Sequence, residues 1–392
     1  MNIGIFTDTY DPQINGVVIS IKTLKKQLEL RGHNVYVFTT TDHCFKKDTS
    51  DVFRLPSMPL LFSPQHRFGA LYSRKFSKII KENKLDIIHN QTEFSLGFFA
   101  KSISKKLNIP VVHTYHTMWE NYTHYLIKVK IDTITPKAIR MFSKTFCNKF
   151  DTVIAPSNKT KQALISYGVT KPIEVIPNGI DFSAFANSKY TSEDILNVKK
   201  QFNIPENYKV ILFLGRVAFE KSIDVIIKQL PSLLTHMSNF KFIIVGDGPA
   251  KSSLETLTED LGISNYVIFA GKQPWEKVGL FYHTADVFVN ASTSETQGIT
   301  FIEAMASGTT VVAKYDSYLD GVIIDNVNGK FFTQDDEFPT ILFDILSNDE
   351  KRKQLSENAM LNANEFSAEK FGEKMERAYL ETILNKKDST VH

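Results

Sequence analysis

Residues 292–308 read Ser292-Thr293-Ser294-Glu295-Thr296-Gln297-Gly298-Ile299-Thr300-Phe301-Ile302-Glu303-Ala304-Met305-Ala306-Ser307-Gly308. Immediately before them, Ala285-Asp286-Val287-Phe288-Val289-Asn290-Ala291 is a short apolar run of the kind that forms a buried strand. After the Ser/Thr/Gly break, Phe301, Ile302, Met305 and Ala306 recur at helical spacing, and Gly308 fits a C-terminal cap. The stretch is therefore strand, loop and helix, with Gly298 near the helix start. A helix N-terminus offers backbone N–H groups and a positive dipole end to a phosphate. Glu295 in the loop and Glu303 in the helix set two carboxylates beside that point. Acids next to a phosphate are electrostatically unfavourable unless they accept hydrogen bonds from neutral hydroxyls. A sugar and a ribose supply such hydroxyls, so the pattern points to a nucleotide-sugar pocket. Two ordinary glutamates near a helix N-terminus would gain from the dipole in any case, and the spacing alone does not separate these readings.

Upstream, Lys209 to Leu214 is an apolar strand that runs into Gly215-Arg216-Val217-Ala218-Phe219-Glu220-Lys221. Arg216 and Lys221 leave the strand end on one loop, where a pyrophosphate would need neutralising. Phe242 to Val245 leads into Gly246-Asp247-Gly248-Pro249, a glycine-rich strand-to-helix turn too short for a dinucleotide fingerprint. Val267 to Ala270 and Thr310 to Ala313 are further strands, Gly329 to Phe332 reads as a hairpin piece, and the chain is helical from Asp336 on.

The N-terminal half alternates short strands with helical patterns, which predicts a doubly wound parallel sheet with ligands at the carboxyl ends of its strands. Strand Asn2 to Thr7 is followed by a loop ending at Asn15-Gly16, and Gly16 permits close approach of backbone to a ligand. His116 follows the strand Val111 to Thr114, where a histidine can hydrogen-bond a substrate hydroxyl. Residues 182–208 are polar and irregular and read as a linker. The expected domains are 1–185, 206–371, and a terminal helix over 372–392.

With 392 residues, 42% hydrophobic and 23% charged, the chain has the composition of a globular protein large enough for two cores. Its two cysteines give neither a disulfide framework nor metal-ligand spacing. The first residues run into a strand without a basic leader, and no apolar run approaches the ~20 residues needed to span a bilayer. The expected location is cytoplasmic. The net charge of +3 is unevenly shared: residues 1–185 hold 25 Lys and Arg against 14 Asp and Glu, a net of +11, and the rest carries −8. A basic half points to an anionic partner, either nucleic acid or a membrane surface. Within the stretch of about residues 59–81, residues 65–81 read as one amphipathic helix with Phe68, Leu71, Tyr72, Phe76, Ile79 and Ile80 along one stripe and Arg67, Arg74, Lys75, Lys78 and Lys81 on its flanks. Residues 121–150 repeat the mixture of aromatic and basic side chains. Such helices suit an anionic leaflet, each basic residue contributing about 1 kcal/mol. The aromatics fall on apolar stripes rather than an open sheet face, which argues against nucleic acid.

The Glu-x7-Glu phrase resembles the motif of the retaining family 4 glycosyltransferases of GT-B fold, and Gly-Arg followed by Glu-Lys resembles their donor motif. The segment from Thr114-Tyr115-His116-Thr117-Met118 to Thr123-His124-Tyr125 is similar to the lipid-glucosylating branch, the bacterial diacylglycerol glucosyltransferases. This resemblance implies two Rossmann-like domains facing a cleft, with the last helix crossing back to the first domain. It implies that Glu295 and the amides of Gly298, Ile299 and Thr300 hold the donor sugar and pyrophosphate, that Glu303 holds the ribose, and that Gly16 faces the same group. Arg216 and Lys221 stabilise the departing UDP, and His116 lies near the sugar. The implied reaction moves glucose from UDP-glucose to diacylglycerol with retained α configuration, on the inner face of the cell membrane. A glycosylated lipid, a polyprenyl phosphate or a soluble sugar as acceptor, or a sugar-nucleotide epimerase, are the alternatives. No Asp-x-Asp motif stands at the donor site, so no obligate metal is expected.

Overall fold

The computed structural model describes residues 1–13, 15–42, 47–60, 63–69, 73–118, 136–186 and 189–391. The chain divides into two compact units, Met1–Gly179 with Ala368–His392, and Ile180–Ser367.

The first unit is built on a seven-stranded sheet in the order β3-β2-β1-β6-β7-β8-β9. These strands are β1 (Asn2–Phe6), β2 (Asn34–Thr40), β3 (Val52–Leu55), β6 (Ile87–Asn90), β7 (Val111–Thr114), β8 (Thr152–Ala155) and β9 (Ile173–Val175), with a separate antiparallel hairpin of β4 (Ser57–Leu60) and β5 (Ser63–Gly69). Every neighbouring pair in the large sheet is parallel. A parallel sheet has helices on both faces, so its strands are apolar throughout. Ile3 and Ile5 enter one core with Val18, Ile21, Leu24 and Leu28 of the helix Gly16–Leu30. Phe6 and Ile88 point the other way, to Phe99 and Ile103 of the helix Ser95–Leu107.

The helix Gly16–Leu30 starts where the Asn15 side chain accepts a hydrogen bond from the Val18 N–H at 3.0 Å. Against it lies the long terminal helix Ala368–Val391, which contributes Phe371, Met375, Ala378 and Tyr379 to the core of this unit. The last helix thus completes the first unit's fold after the chain has built the second.

Residues 65–81 are not one helix. They divide into β5, paired with β4, and a helix Arg74–Glu82 begun by Ser73, whose Oγ accepts from the Phe76 N–H at 3.1 Å. The helical spacing of Phe76 and Ile80 is real, but both are fully buried in the unit's own core. Those two members of the stripe are consumed by folding, while Arg74, Lys75, Lys78 and Lys81 are exposed. Leu71 and Tyr72 lie outside the described residues, as do Tyr122, Tyr125, Leu126, Ile127, Lys128 and Lys130. Of the second stretch, the helix Pro136–Cys147 buries Ile139 and Phe146 and leaves Met141 62% and Phe142 43% exposed.

The second unit has a six-stranded parallel sheet in the order β12-β11-β10-β13-β14-β15. Its strands are β10 (Lys209–Leu214), β11 (Phe240–Val245), β12 (Val267–Gly271), β13 (Val287–Asn290), β14 (Thr310–Lys314) and β15 (Lys330–Phe332). Val210, Leu212 and Leu214 serve one core and Ile211 and Phe213 the other, so alternate residues of one apolar run fill both layers. Gly329 to Phe332 is no hairpin: β15 pairs in parallel with β14 at the sheet edge. The polar stretch 182–208 belongs to this unit and holds a helix, Ser192–Gln201, started by a reciprocal Thr191–Asp194 capping box. That helix turns few residues inward, Val198 being the buried one, which is why its sequence looks like a linker. Phe185, nearby, is completely buried.

Candidate donor-binding site

In the second sheet the direction of strand succession reverses between β10 and β13, and ligands in doubly wound sheets gather beyond the carboxyl ends at that point. A cavity of about 120 Å³ lies there, reached by Leu214 and Gly215 from the end of β10, Asn290 from β13, and Glu295 through Thr300. Lys221 and Glu295, 74 residues apart, both line it and are ion-paired.

The loop that carries Glu295 is pinned to the loop that carries Lys221. Ser292 Oγ and Ser294 Oγ each donate to the Glu220 carbonyl at 3.1 Å, and Tyr318 OH donates to the Ser292 carbonyl at 3.0 Å. Gly298 ends this loop at φ +72°, and a Cβ there would stand 2.7 Å from the Tyr318 ring. Both constraints exclude a side chain, so glycine is the residue that lets the chain turn into the helix Ile299–Ala306. The Phe301 N–H donates back to the Gly298 carbonyl, while those of Ile299 and Thr300 have no acceptor within the helix. Two amides and an ammonium therefore border the same small space.

Glu303 lies one turn further on and is not on the cavity wall. It is 5% exposed and accepts a hydrogen bond from Tyr282 OH at 2.8 Å. Burial pushes its carboxyl up to about 7, against the lowering effect of that hydrogen bond. Arg216 is exposed directly after Gly215. The Gly246-Asp247-Gly248 turn has an internal purpose: a Cβ on Gly246 would lie 1.8 Å from the Gly215 carbonyl oxygen, so close backbone packing against the Arg216 loop demands it.

The two remaining sequence-predicted site residues belong to the first unit. Gly16 opens its helix, and a Cβ there would meet no described atom within 4 Å. His116 is partly open to solvent, and its Nε2 lies 2.6 Å from Gln91 Oε1. Burial of its ring, then His113, hold it down to about 3, so it is neutral. Sequence reasoning did not find Tyr282, Tyr318 or Gln91, each of which acts through a partner more than 20 residues away, nor Asn290, which lines the cavity while its side chain accepts from the Ser292 N–H. Among the described residues, no group of three His, Cys, Asp or Glu side chains is placed to hold a metal ion. Among them, too, no helix is long and apolar enough to cross a membrane.

Comparison with known proteins fits this geometry. Residues 14–184 match the family model described as Glycosyltransferase Family 4, and residues 194–361 the model described as Glycosyl transferases group 1. An alpha-monoglucosyldiacylglycerol synthase of Streptococcus pneumoniae is 37% identical over 388 residues, 98% of this chain and 87% of that protein. Its namesake in Acholeplasma laidlawii is 34% identical over 400 residues, 99% of this chain and all of the other. Among solved structures, Anabaena Alr3699/HepE in complex with UDP superposes with a TM-score of 0.76 at 20% identity, covering 96% of this chain and 99% of that one. The sucrose-phosphate synthase of Thermosynechococcus elongatus gives 0.74 at 20% identity, covering 98% and 99%. Those two likenesses establish the fold, two Rossmann-like domains of the GT-B kind. With relatives above 30% identity along almost its entire length, the chain belongs to glycosyltransferase family 4.

Proposed function

We propose that this protein is a retaining glucosyltransferase that moves glucose from UDP-glucose to the free hydroxyl of 1,2-diacylglycerol, giving alpha-monoglucosyl-diacylglycerol. The observation that carries the donor half is the convergence of Lys221, Glu295 and the first-turn amides of Ile299 and Thr300 on one cavity. The acceptor half draws its support from the two alpha-monoglucosyldiacylglycerol synthases similar to this chain over almost its entire length.

In this reading the second unit holds the donor and the first receives the lipid. Lys221, Arg216 and the helix N-terminus stabilise the charge that develops on the departing UDP, which is the principal source of acceleration when no covalent step is required. Glu295 accepts hydrogen bonds from the sugar, Glu303 from the ribose, and His116 meets the sugar hydroxyls. Gly16 fits the role of a residue kept small for a ligand, because nothing described in the protein itself occupies the place of its Cβ. The leaving group is already an anion stabilised by cations and amides, so the mechanism asks for no metal.

Docking to an anionic membrane rests on the helix Pro136–Cys147, where exposed Met141 and Phe142 lie among Lys137, Arg140 and Lys144. Apolar side chains enter the interface while the cations stay at the headgroups. The protein then works peripherally, on the cytoplasmic leaflet.

The test is to incubate the protein with UDP-glucose and vesicles with or without diacylglycerol, and to weigh the lipid product. One added hexose that appears only with diacylglycerol is expected. Isomerised sugar nucleotide without acceptor would replace this reading by an epimerase, and product only with a glycosylated lipid or polyprenyl phosphate would change the acceptor.

A further inference from the structure

The carboxyl ends of β6 and β7 carry a line of buried polar side chains that leads away from His116. Gln91 is 2% exposed, and its backbone N–H donates to the Phe6 carbonyl at 2.8 Å. Its side-chain oxygen lies 2.6 Å from His116 Nε2, and its side-chain nitrogen lies 3.1 Å from both ring nitrogens of His89. His89 is itself 1% exposed, with Nδ1 2.6 Å from Tyr379 OH and Nε2 2.7 Å from Thr114 Oγ1. Tyr379 comes from the terminal helix, 290 residues away in the chain.

The protons in this line can be assigned from chemistry. An amide oxygen only accepts, so His116 donates from Nε2 and keeps its lone pair on Nδ1. His89, being neutral, donates from one ring nitrogen and accepts at the other, and the accepting nitrogen is shared between the Gln91 amide and the hydroxyl beside it, Tyr379 OH at Nδ1 or Thr114 Oγ1 at Nε2. Burial holds both histidines below their ordinary range, so both are neutral and the tautomer, rather than the charge, is what the surroundings select. The other ionisable groups nearby are His113, whose Nδ1 meets the Asn90 side chain at 2.9 Å, and Glu93, 3.6 Å beyond His113 Nε2. Neither stands between Gln91 and His116.

We propose that Gln91 is a positioning residue: it fixes the His116 ring with its proton on Nε2 and its acceptor on Nδ1, and is itself held by His89 and, through His89, by Tyr379. The function of the line is to present an acceptor, at a set angle, to a donor hydroxyl. This rests on the reading of His116 as the histidine that meets the donor sugar.

The test compares Gln91→Leu, Gln91→Glu and His116→Ala, with UDP-glucose and diacylglycerol vesicles as substrates and UDP affinity measured separately. Gln91→Leu removes the acceptor from His116 and is expected to lower kcat by about 100-fold with UDP affinity unchanged, the effect of a misaligned group. Gln91→Glu keeps the shape and sets a carboxylate against Nε2, which favours the imidazolium. His116 should then titrate at higher pH, followed by the NMR shifts of its ring protons, and kcat should acquire an acid limb that wild type lacks. If His116→Ala loses activity while Gln91→Leu keeps wild-type kcat, the positioning role is wrong. An unshifted His116 titration in Gln91→Glu overturns it too, and serves if Gln91→Leu does not fold. Wild-type activity in His116→Ala would instead remove the reading of His116 on which the inference stands.

Discussion

The ammonium of Lys221 is ion-paired with Oε1 of Glu295, so the two charged side chains lining the donor cavity satisfy each other. A pyrophosphate that binds Lys221 competes with Glu295 for it. Replacing Glu295 by Gln frees the lysine and takes a negative charge away from the phosphates. UDP should therefore bind Glu295→Gln as tightly as wild type or several-fold more tightly, while turnover of UDP-glucose falls. Lys221→Ala should weaken UDP by roughly 10–100-fold, since a hydrogen bond to a charged group is worth about 1.5–3 kcal/mol. Calorimetric titration of both variants checks the contrast, and equal losses of UDP affinity would refute the competition.

Arg216 stands on the same loop, one residue after Gly215 of the cavity wall. Arg216→Ala should lose UDP affinity and turnover together. Wild-type turnover in that variant would remove Arg216 from the pyrophosphate.

Gly298 and Gly16 should respond differently to alanine. At Gly298 the positive φ and the Tyr318 ring both oppose a Cβ, so Gly298→Ala should lower the thermal midpoint as well as activity. At Gly16 the Cβ meets no described atom, and alanine suits a helix better than glycine. Gly16→Ala should melt at or slightly above the wild-type temperature and still lose much of its kcat/KM. A fully active Gly16→Ala would show that no ligand needs that space.

Glu303 gives the protein a pH-dependent stability. Its carboxyl is raised to about 7 in the folded chain, above its ordinary value of 4.5, so ionisation disfavours the native state. Its contribution is fully present below about pH 4.5 and is lost as the pH rises through 7. Glu303→Gln keeps an acceptor for Tyr282 but cannot ionise. Its stability relative to wild type should grow between pH 5 and pH 8, by up to about 3 kcal/mol, because each tenfold change in proton affinity is worth about 1.4 kcal/mol. Parallel melts across that range test it, and a constant difference would place the titration elsewhere.

Met141 and Phe142 lie exposed on the helix Pro136–Cys147, and Phe142 also stacks on the ring of the buried Phe146 at 5.8 Å. Met141→Asp with Phe142→Asp should reduce sedimentation with anionic vesicles by tenfold or more, because fully burying one such side chain is worth about 1.5–3 kcal/mol. Met141→Asp alone, at a side chain 62% exposed, should leave the melting temperature within a few degrees of wild type. Unchanged vesicle binding would assign the membrane contact to other residues.

Much of the site could be read from the chain because it is local. Glu295, Gly298 and Thr300 sit within six consecutive residues, and the apolar runs at Lys209–Leu214 and Val287–Asn290 announce the strands that end beside them. Residues 63–82 were harder, since a short aromatic stretch satisfies both a strand and a helix period. Pairing with Ser57–Leu60 and the Ser73 cap settled that choice. The linker reading of 182–208 failed for a related reason: a helix that buries few residues has the composition of a loop.

By itself the sequence determined two parallel-sheet units, the residue types at the strand ends and the family that carries them, because strand alternation, glycine turns and helix starts are written over a few neighbouring positions. Tertiary structure alone decided how those residues are used. It paired Lys221 with Glu295, sank Glu303 beneath Tyr282 and tied His116 through Gln91 to a tyrosine near the far end of the chain. Such choices depend on burial and on contacts between residues many positions apart, and those exist only once the sheets have closed their cores.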